Sequence, residues 1–207
     1  MKIKSVYMHN VINDWFKNQF ETKHSCGALA YSDREKASNL LFCAGSMDGC
    51  EREKYGYLAS LDIKNDSGPS GYGSDCTIRF KKSRLKGRVT YTLGDSLGPA
   101  FYGHLKGDDA FNPSENGVCG IPDWMSQASA DFYVKKIKGM HIPPDCPSDA
   151  LFDYIELQYH GPLTITDVES VVLGPNHKIS LDDIDKMKKM GIKVYMKNRG
   201  TDKLTEL

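Results

Sequence analysis

Residues 151–161 read LFDYIELQYHG, and the fold turns on this stretch. It is rich in aromatic and branched side chains, and its apolar positions do not alternate cleanly, as expected for a strand covered on both faces. Such an interior strand has one costly member. Glu156 is expensive to bury unless it has partners or a task. Asp153 and Glu156 do not share a strand face, so a paired-carboxylate glycosidase is not the natural reading. A single carboxylate that holds a sugar hydroxyl beside a developing cation fits better. The structural alternative is an edge-strand or salt-bridged glutamate.

Downstream, DVESVVLGP (167–175), SLDDIDKMKKMG (180–191) and IKVYMK (192–197) predict a strand, a helix and a strand. Ser180 is a good N-cap, Asp182 and Asp183 suit the first turn, and Gly191 sits where the helix stops. Upstream, CTIRF (76–80) and RVTYTL (88–93) alternate strictly and predict a strand pair around a basic connection. NDSGPSGYGSD (65–75) is a turn cluster, YLASLDI (57–63) a short strand, and AGSMDGCEREKYG (44–56) a loop. Ser32 and Asp33 are expected to cap a helix through REKASNLLF (34–42), with Leu40, Leu41 and Phe42 on its buried side. Residues 1–20 read as helical, with Tyr7, Met8, Val11, Ile12, Trp15 and Phe16 at offsets of three and four. Residues 94–120 read as loop and 123–139 as helix, with a firm break at PPDCP (143–147). The class is α+β, in one domain over 1–207.

Composition narrows the function. Lys plus Arg total 27 and Asp plus Glu total 27, for a net charge of zero. That balance argues against a dedicated nucleic-acid binder, which needs a basic excess on its contact face. There is no run of eighteen apolar residues, so no membrane span is expected. The N-terminal segment lacks the apolar core and cleavage site of a Sec signal peptide. Cys26, Cys43, Cys50, Cys76, Cys119 and Cys146 form no C-x-x-C, and free thiols are expected.

His9, His24, His104, His141, His160 and His177 lie far apart, with no metal-ligand spacing, so no metal is expected. A Cys–His nucleophile would need His24 to meet Cys26 or Cys146 in space, and nothing in the spacing signals it. Gly68, Gly71 and Gly73 lack the third spaced glycine and the following helix of a dinucleotide fingerprint, and read as a tight turn. The bases at 79–88 read as a solvated hairpin tip, or as a dock for a pyrophosphate or an acidic protein surface.

Several segments carry a resemblance. KNQFETKHSCGAL (17–29) resembles the first motif of ADP-ribosyltransferase toxins, where a basic residue lies beside the NAD site. YIELQYHGPL (154–163) resembles their third motif, a strand that carries the catalytic glutamate. QFET, KYGYL, YGSDCTIRF, VTYTLGDSLGP and YIELQYHGPL stand in the same order as in a bacterial family long described only as a domain of unknown function. That family is similar to these transferases, and related effectors ADP-ribosylate a threonine of host ubiquitin.

The resemblance implies an ADP-ribosyltransferase-like split mixed sheet with flanking helices, and NAD as co-substrate. It places Glu156 at the catalytic position, with Tyr154 where many relatives have a second acidic residue. Lys17 falls where the first-motif arginine is expected, and keeps the charge without the bidentate fork. Arg52 is the alternative guanidinium. Ser74 supplies the second-motif hydroxyl, with Tyr72 to stack on nicotinamide and Ser96 as the weaker candidate. Phe20, Thr22, Ser25 and Tyr55 complete the implied cofactor-binding set. The implied protein is a monomer delivered to a host cytosol, with ubiquitin as the acceptor. An NAD glycohydrolase and a non-catalytic protein-binding module are the rival readings.

Overall fold

The computed structural model describes residues 1–24, 30–42, 44–58, 75–85, 88–93, 119–120, 155–199 and 203–207; for 40–41, 91–93, 119–120 and 155 it describes the backbone path alone. The first half holds β1 (Lys2–Ile3), α1 (Met8–Asn13), α2 (Gln19–Thr22), α3 (Tyr31–Phe42), β2 (Lys54–Tyr57), β3 (Cys76–Phe80), the single turn α4 (Lys82–Leu85) and β4 (Val89–Leu93). Then come β5 (Cys119–Gly120), β6 (Ile155–Tyr159), β7 (Val168–Leu173), α5 (Leu181–Lys189), β8 (Lys193–Lys197) and β9 (Leu204–Glu206). The class is α+β.

Among the described residues the strands form two sheets. One has the order β1-β3-β7-β8-β9 and the other β2-β6-β4-β5. The first is mixed, because β7 and β8 are parallel and joined through α5, while the second is antiparallel throughout. One cluster of buried side chains joins them: Ile78, Val171 and Val194 from the first sheet meet Val89 and Tyr159 from the second. Met8, Val11 and Phe16 close it at the N-terminal side, with Ile184 and Met187 of α5.

The α5 unit forms as its sequence dictates. The Ser180 hydroxyl accepts from the Asp183 amide, and Gly191, at φ +78°, takes the left-handed conformation that ends the helix. Elsewhere the chain departs from its local pattern. Residues 1–20 do not make one helix. Phe16 donates its amide to the Leu163 carbonyl at 2.8 Å, and Trp15 bridges to Thr164, so the chain is extended there. Asn18 then opens α2 through a capping box with Glu21. Met8, Val11, Ile12 and Phe16 are buried as their spacing predicts, whereas Tyr7 and Trp15 are exposed.

Strands β3 and β4 do not pair with each other. Their alternation marks each as a strand and is silent about partners. β3 lies between β1 and β7, and β4 between β6 and β5. The basic connection is therefore no hairpin tip: Lys81 reaches the Thr166 carbonyl at 2.7 Å and Arg84 lies 3.6 Å from Asp167. α3 starts at Tyr31, ahead of the expected cap, so Ser32 and Asp33 lie within its first turn. The expected loop over 44–56 ends early, because β2 begins at Lys54. Residues 59–63, the turn cluster up to Ser74, and the expected loop and helix beyond 93 lie outside the described residues, apart from β5. Cys50 and Cys76 are free thiols, and burial pushes the Cys76 thiol up to about 12, which leaves it inert.

Ser180→Ala should lower unfolding stability by about 1 kcal/mol, the usual worth of a lost N-cap. Leu181→Ala, one residue on and 81% exposed, should change it by less than about 0.5 kcal/mol. Urea midpoints of the two variants check the difference.

Candidate functional site around Glu156

β6 lies between β2 and β4, and its five residues alternate in character. Register places Tyr57 and Thr92 opposite Glu156, and Tyr55 and Thr90 opposite Gln158. Leu157 and Tyr159 point toward the apolar core, so Glu156 and Gln158 occupy the other face. α3 covers that face. Its Ser38 hydroxyl donates to Glu53 at 2.9 Å, and its Phe42 ring meets His160 edge-on at 5.3 Å between centroids. The strand is covered on both sides as expected, but one covered side is polar.

Glu156 is 6% exposed. Gln158, itself fully buried, donates from Nε2 to Glu156 Oε1 at 2.8 Å. Its carbonyl Oε1 accepts from the Thr90 hydroxyl at 3.0 Å. Thr90 Oγ1 lies 2.8 Å from His160 Nε2. Beside this row, the Tyr55 hydroxyl donates to Glu53 Oε1 at 2.9 Å. Burial drives the Tyr55 pKa well above its ordinary value, and the Glu53 and Glu156 charges push it the same way, against a weaker pull from Arg34. Burial also raises Glu53, outweighing hydrogen bonds from its own backbone amide, Ser38 and Tyr55 and the charge of Arg52. His160 is lowered, by burial first and by the Lys54 ammonium second.

Lys54 anchors the start of β2. Its ammonium donates to the Cys50 and Gly161 carbonyls, both at 3.0 Å, and lies 3.6 Å from Glu21. Burial lowers its pKa, partly offset by Glu21. Gly161, at φ +102°, turns the chain out of the sheet directly after His160, a conformation that L side chains rarely adopt.

The residues singled out for cofactor binding fall into separate places. Lys17 is 43% exposed; it pairs with Asp14 at 2.7 Å and lies over the Trp15 ring. Arg52 is buried, with its guanidinium 4.7 Å from the Phe20 ring centroid and hydrogen bonds to the Met47 and Gly45 carbonyls. Phe20 and Arg52 are thus brought together, while Lys17 has other partners. Arg52 Nη1 has no hydrogen-bond partner among the described residues and lies 3.9 Å from Glu35. Thr22 closes α2, its hydroxyl donating to the Asn18 and His24 carbonyls. Tyr55 stands on the Glu156 face. Ser25, Tyr72, Ser74 and Ser96 lie outside the described residues, as does Tyr154.

Glu53, Thr90, Gln158 and His160 were not singled out from sequence. A signal existed for two of them: Glu156, Gln158 and His160 recur at every second residue, which is one face of a strand. The His9–Asp183 pair at 3.2 Å lies apart, between α1 and α5. Among the described residues no group of three His, Cys, Asp or Glu could hold a metal ion. Among them, too, no helix is long and apolar enough to cross a membrane. Chemically, the Glu156 face offers a desolvated carboxylate with a fixed donor, next to a neutral phenol. Comparison with known protein families, curated proteins and solved structures returns no match.

Folded protein holds the Glu53 proton more tightly than the unfolded chain does. Stability therefore falls as pH rises from about 4.5 toward the raised folded value. Glu53→Gln should remove that fall, giving a flatter profile of urea midpoints as pH rises above about 4.5. A variant as steep as the parent would place the pH dependence in another group.

Proposed function

We propose that this protein is an NAD-dependent mono-ADP-ribosyltransferase that modifies a protein acceptor, a threonine of ubiquitin, and releases nicotinamide. The observation that carries the reading is Glu156, a buried carboxylate on an interior strand, held by a donor from the same strand. Carboxylates are rarely buried this deeply without a partner or a task. The family resemblance of the surrounding segments supplies the task, and with it the expectation of a bacterial effector acting in a host cytosol.

In this reaction Glu156 holds the 2′-hydroxyl of the nicotinamide ribose and stabilises the positive charge that develops on the ring. The bond from C1′ to the nicotinamide nitrogen breaks, and nicotinamide leaves with the electron pair. The acceptor hydroxyl oxygen bonds to C1′ and releases its proton to solvent water. No step calls for a metal.

One observation favours a second reading, a non-catalytic binding module. The two basic residues considered for the first-motif position beside NAD are already engaged, Lys17 by Asp14 and Arg52 by backbone carbonyls and Phe20. A hydrolase that transfers only to water is the third.

Incubation with NAD and ubiquitin, followed by intact mass measurement, separates the three. A single ADP-ribose adduct is expected; free ADP-ribose alone identifies the hydrolase, and no consumption of NAD identifies the binding module. Glu156→Gln should abolish nicotinamide release, a loss of at least about a hundredfold, with the circular dichroism of the folded chain retained. Undiminished release in that variant would overturn the assignment.

A further inference from the structure

The row Glu156, Gln158, Thr90 and His160 has a direction, fixed by counting hydrogens. The Thr90 hydroxyl carries one proton, and it goes to Gln158 Oε1 at 3.0 Å. Toward His160 Nε2, 2.8 Å away, the same oxygen can only accept. With the Gln158 carbonyl turned to Thr90, this requires a hydrogen on Nε2 of the imidazole. With its carbonyl turned to Thr90, the Gln158 amide presents its NH2 end to Glu156 Oε1 at 2.8 Å. Every donor in the chain points toward the carboxylate. Reversed, the chain would turn the Gln158 carbonyl on Glu156, and two oxygens at that distance require a proton on the carboxyl group.

We propose that Thr90 and His160 are positioning residues, which lock the Gln158 amide so that it donates to Glu156 and holds that carboxylate correctly aimed. The catalytic consequence rests on the transferase reading; the direction of the chain does not. An amide is symmetric enough to flip, so Gln158 alone does not specify which end meets Glu156. A hydrogen on His160 Nε2 would make the Thr90 oxygen an acceptor there and send the Thr90 proton to Gln158, which removes the ambiguity. The groups around the ring agree with a donating Nε2. Phe42 of α3 packs on it edge-on, and burial first, then the Lys54 charge of β2, disfavours the imidazolium. Tyr55 of β2, the cross-strand neighbour of Gln158, has its hydroxyl proton committed to Glu53.

Two measurements on the full chain test this. In protein labelled with nitrogen-15 at histidine, His160 at neutral pH should show a protonated Nε2 and a bare Nδ1. The opposite tautomer overturns the proposal. Kinetically, Thr90→Val keeps the shape of the side chain and cuts the link. It should lower kcat for nicotinamide release roughly ten- to a hundredfold, the worth of the Gln158 hydrogen bond to the Glu156 carboxylate that the link holds in place. KM for NAD should stay within about threefold, because the lost interaction acts in the transition state. Thr90→Ser should restore kcat. An unchanged kcat in Thr90→Val, or no rescue by Thr90→Ser, overturns the positioning role. Absence of NAD cleavage in the parent protein sinks the transferase reading instead, and the nitrogen shifts then still decide the direction of the chain.

Discussion

The arrangement around Glu156 depends on one buried ammonium. The Lys54 side chain is 2% exposed, and taking that charge out of water is tolerable only because two carbonyls and the Glu21 carboxylate surround it. Those partners come from three segments: the turn before β2, the turn after β6, and α2. One side chain thus ties the start of β2 to the end of β6 and fixes their register. A slip of one residue would turn Glu156 and Gln158 into the apolar core and Leu157 and Tyr159 out of it. Glu21 does further work in the same place. It closes the capping box on Asn18 and accepts from the Trp15 indole at 2.6 Å, so the exposed Trp15 and the buried lysine share one carboxylate.

Given that register, β6 becomes a strand with two interiors. Leu157 and Tyr159 contribute to the common core with Val89. Glu156 and Gln158 are as deeply buried, yet lie among hydroxyls, an imidazole and a second carboxylate. Each polar atom in that layer must be partnered to avoid a penalty of about 1–3 kcal/mol, and the chain from His160 to Glu156 satisfies several at once. α3 matches the polar layer with Ser38, whose hydroxyl goes to Glu53, and with Ala37, small enough to be fully buried beside it in sequence. The helix has no strong apolar stripe of its own, in contrast to α5, which carries Ile184 and Met187 into the core.

That contrast explains what could be read from the sequence. In α5 the cap, the first-turn acids, the spacing of buried residues and the stop glycine all agree, so local chemistry specifies the element completely. β3, β6, β7 and β8 were legible as strands for the same reason. Their partners were not. The alternation of CTIRF and VTYTL is the same whether the two strands pair with each other or with β7 and β6, and long-range packing decides it. The N-terminal segment has helical spacing at its buried positions, but the bond from Phe16 to Leu163 outweighs local propensity. At the site, Glu156 stood out because its cost is visible in one dimension. Thr90 and Glu53 are ordinary in their own segments and gain meaning only beside residues 68 and 15 positions away.

A polar interior of this kind is hard to explain as a means of stability. Breaking a buried polar pair is destabilising, but replacing the whole set by apolar side chains of similar volume is commonly neutral or favourable. Selection for folding alone would therefore tend to erase Glu156 and Gln158 from an interior strand, and Glu53 from beside it. Elsewhere the described chain follows the usual rules: apolar residues fill the common core, and most charged groups lie at the surface. Departures from those rules concentrate at functional sites, where stability is given up for reactivity or recognition. Lys54 is such a departure too, and its place is structural, since its three partners consume its charge. The Glu156 face differs. Its carboxylate has a donor from Gln158 on one oxygen and the Tyr55 phenol alongside, and no buried ammonium consumes it among the described contacts. That difference separates the residue that organises the site from the one that serves it.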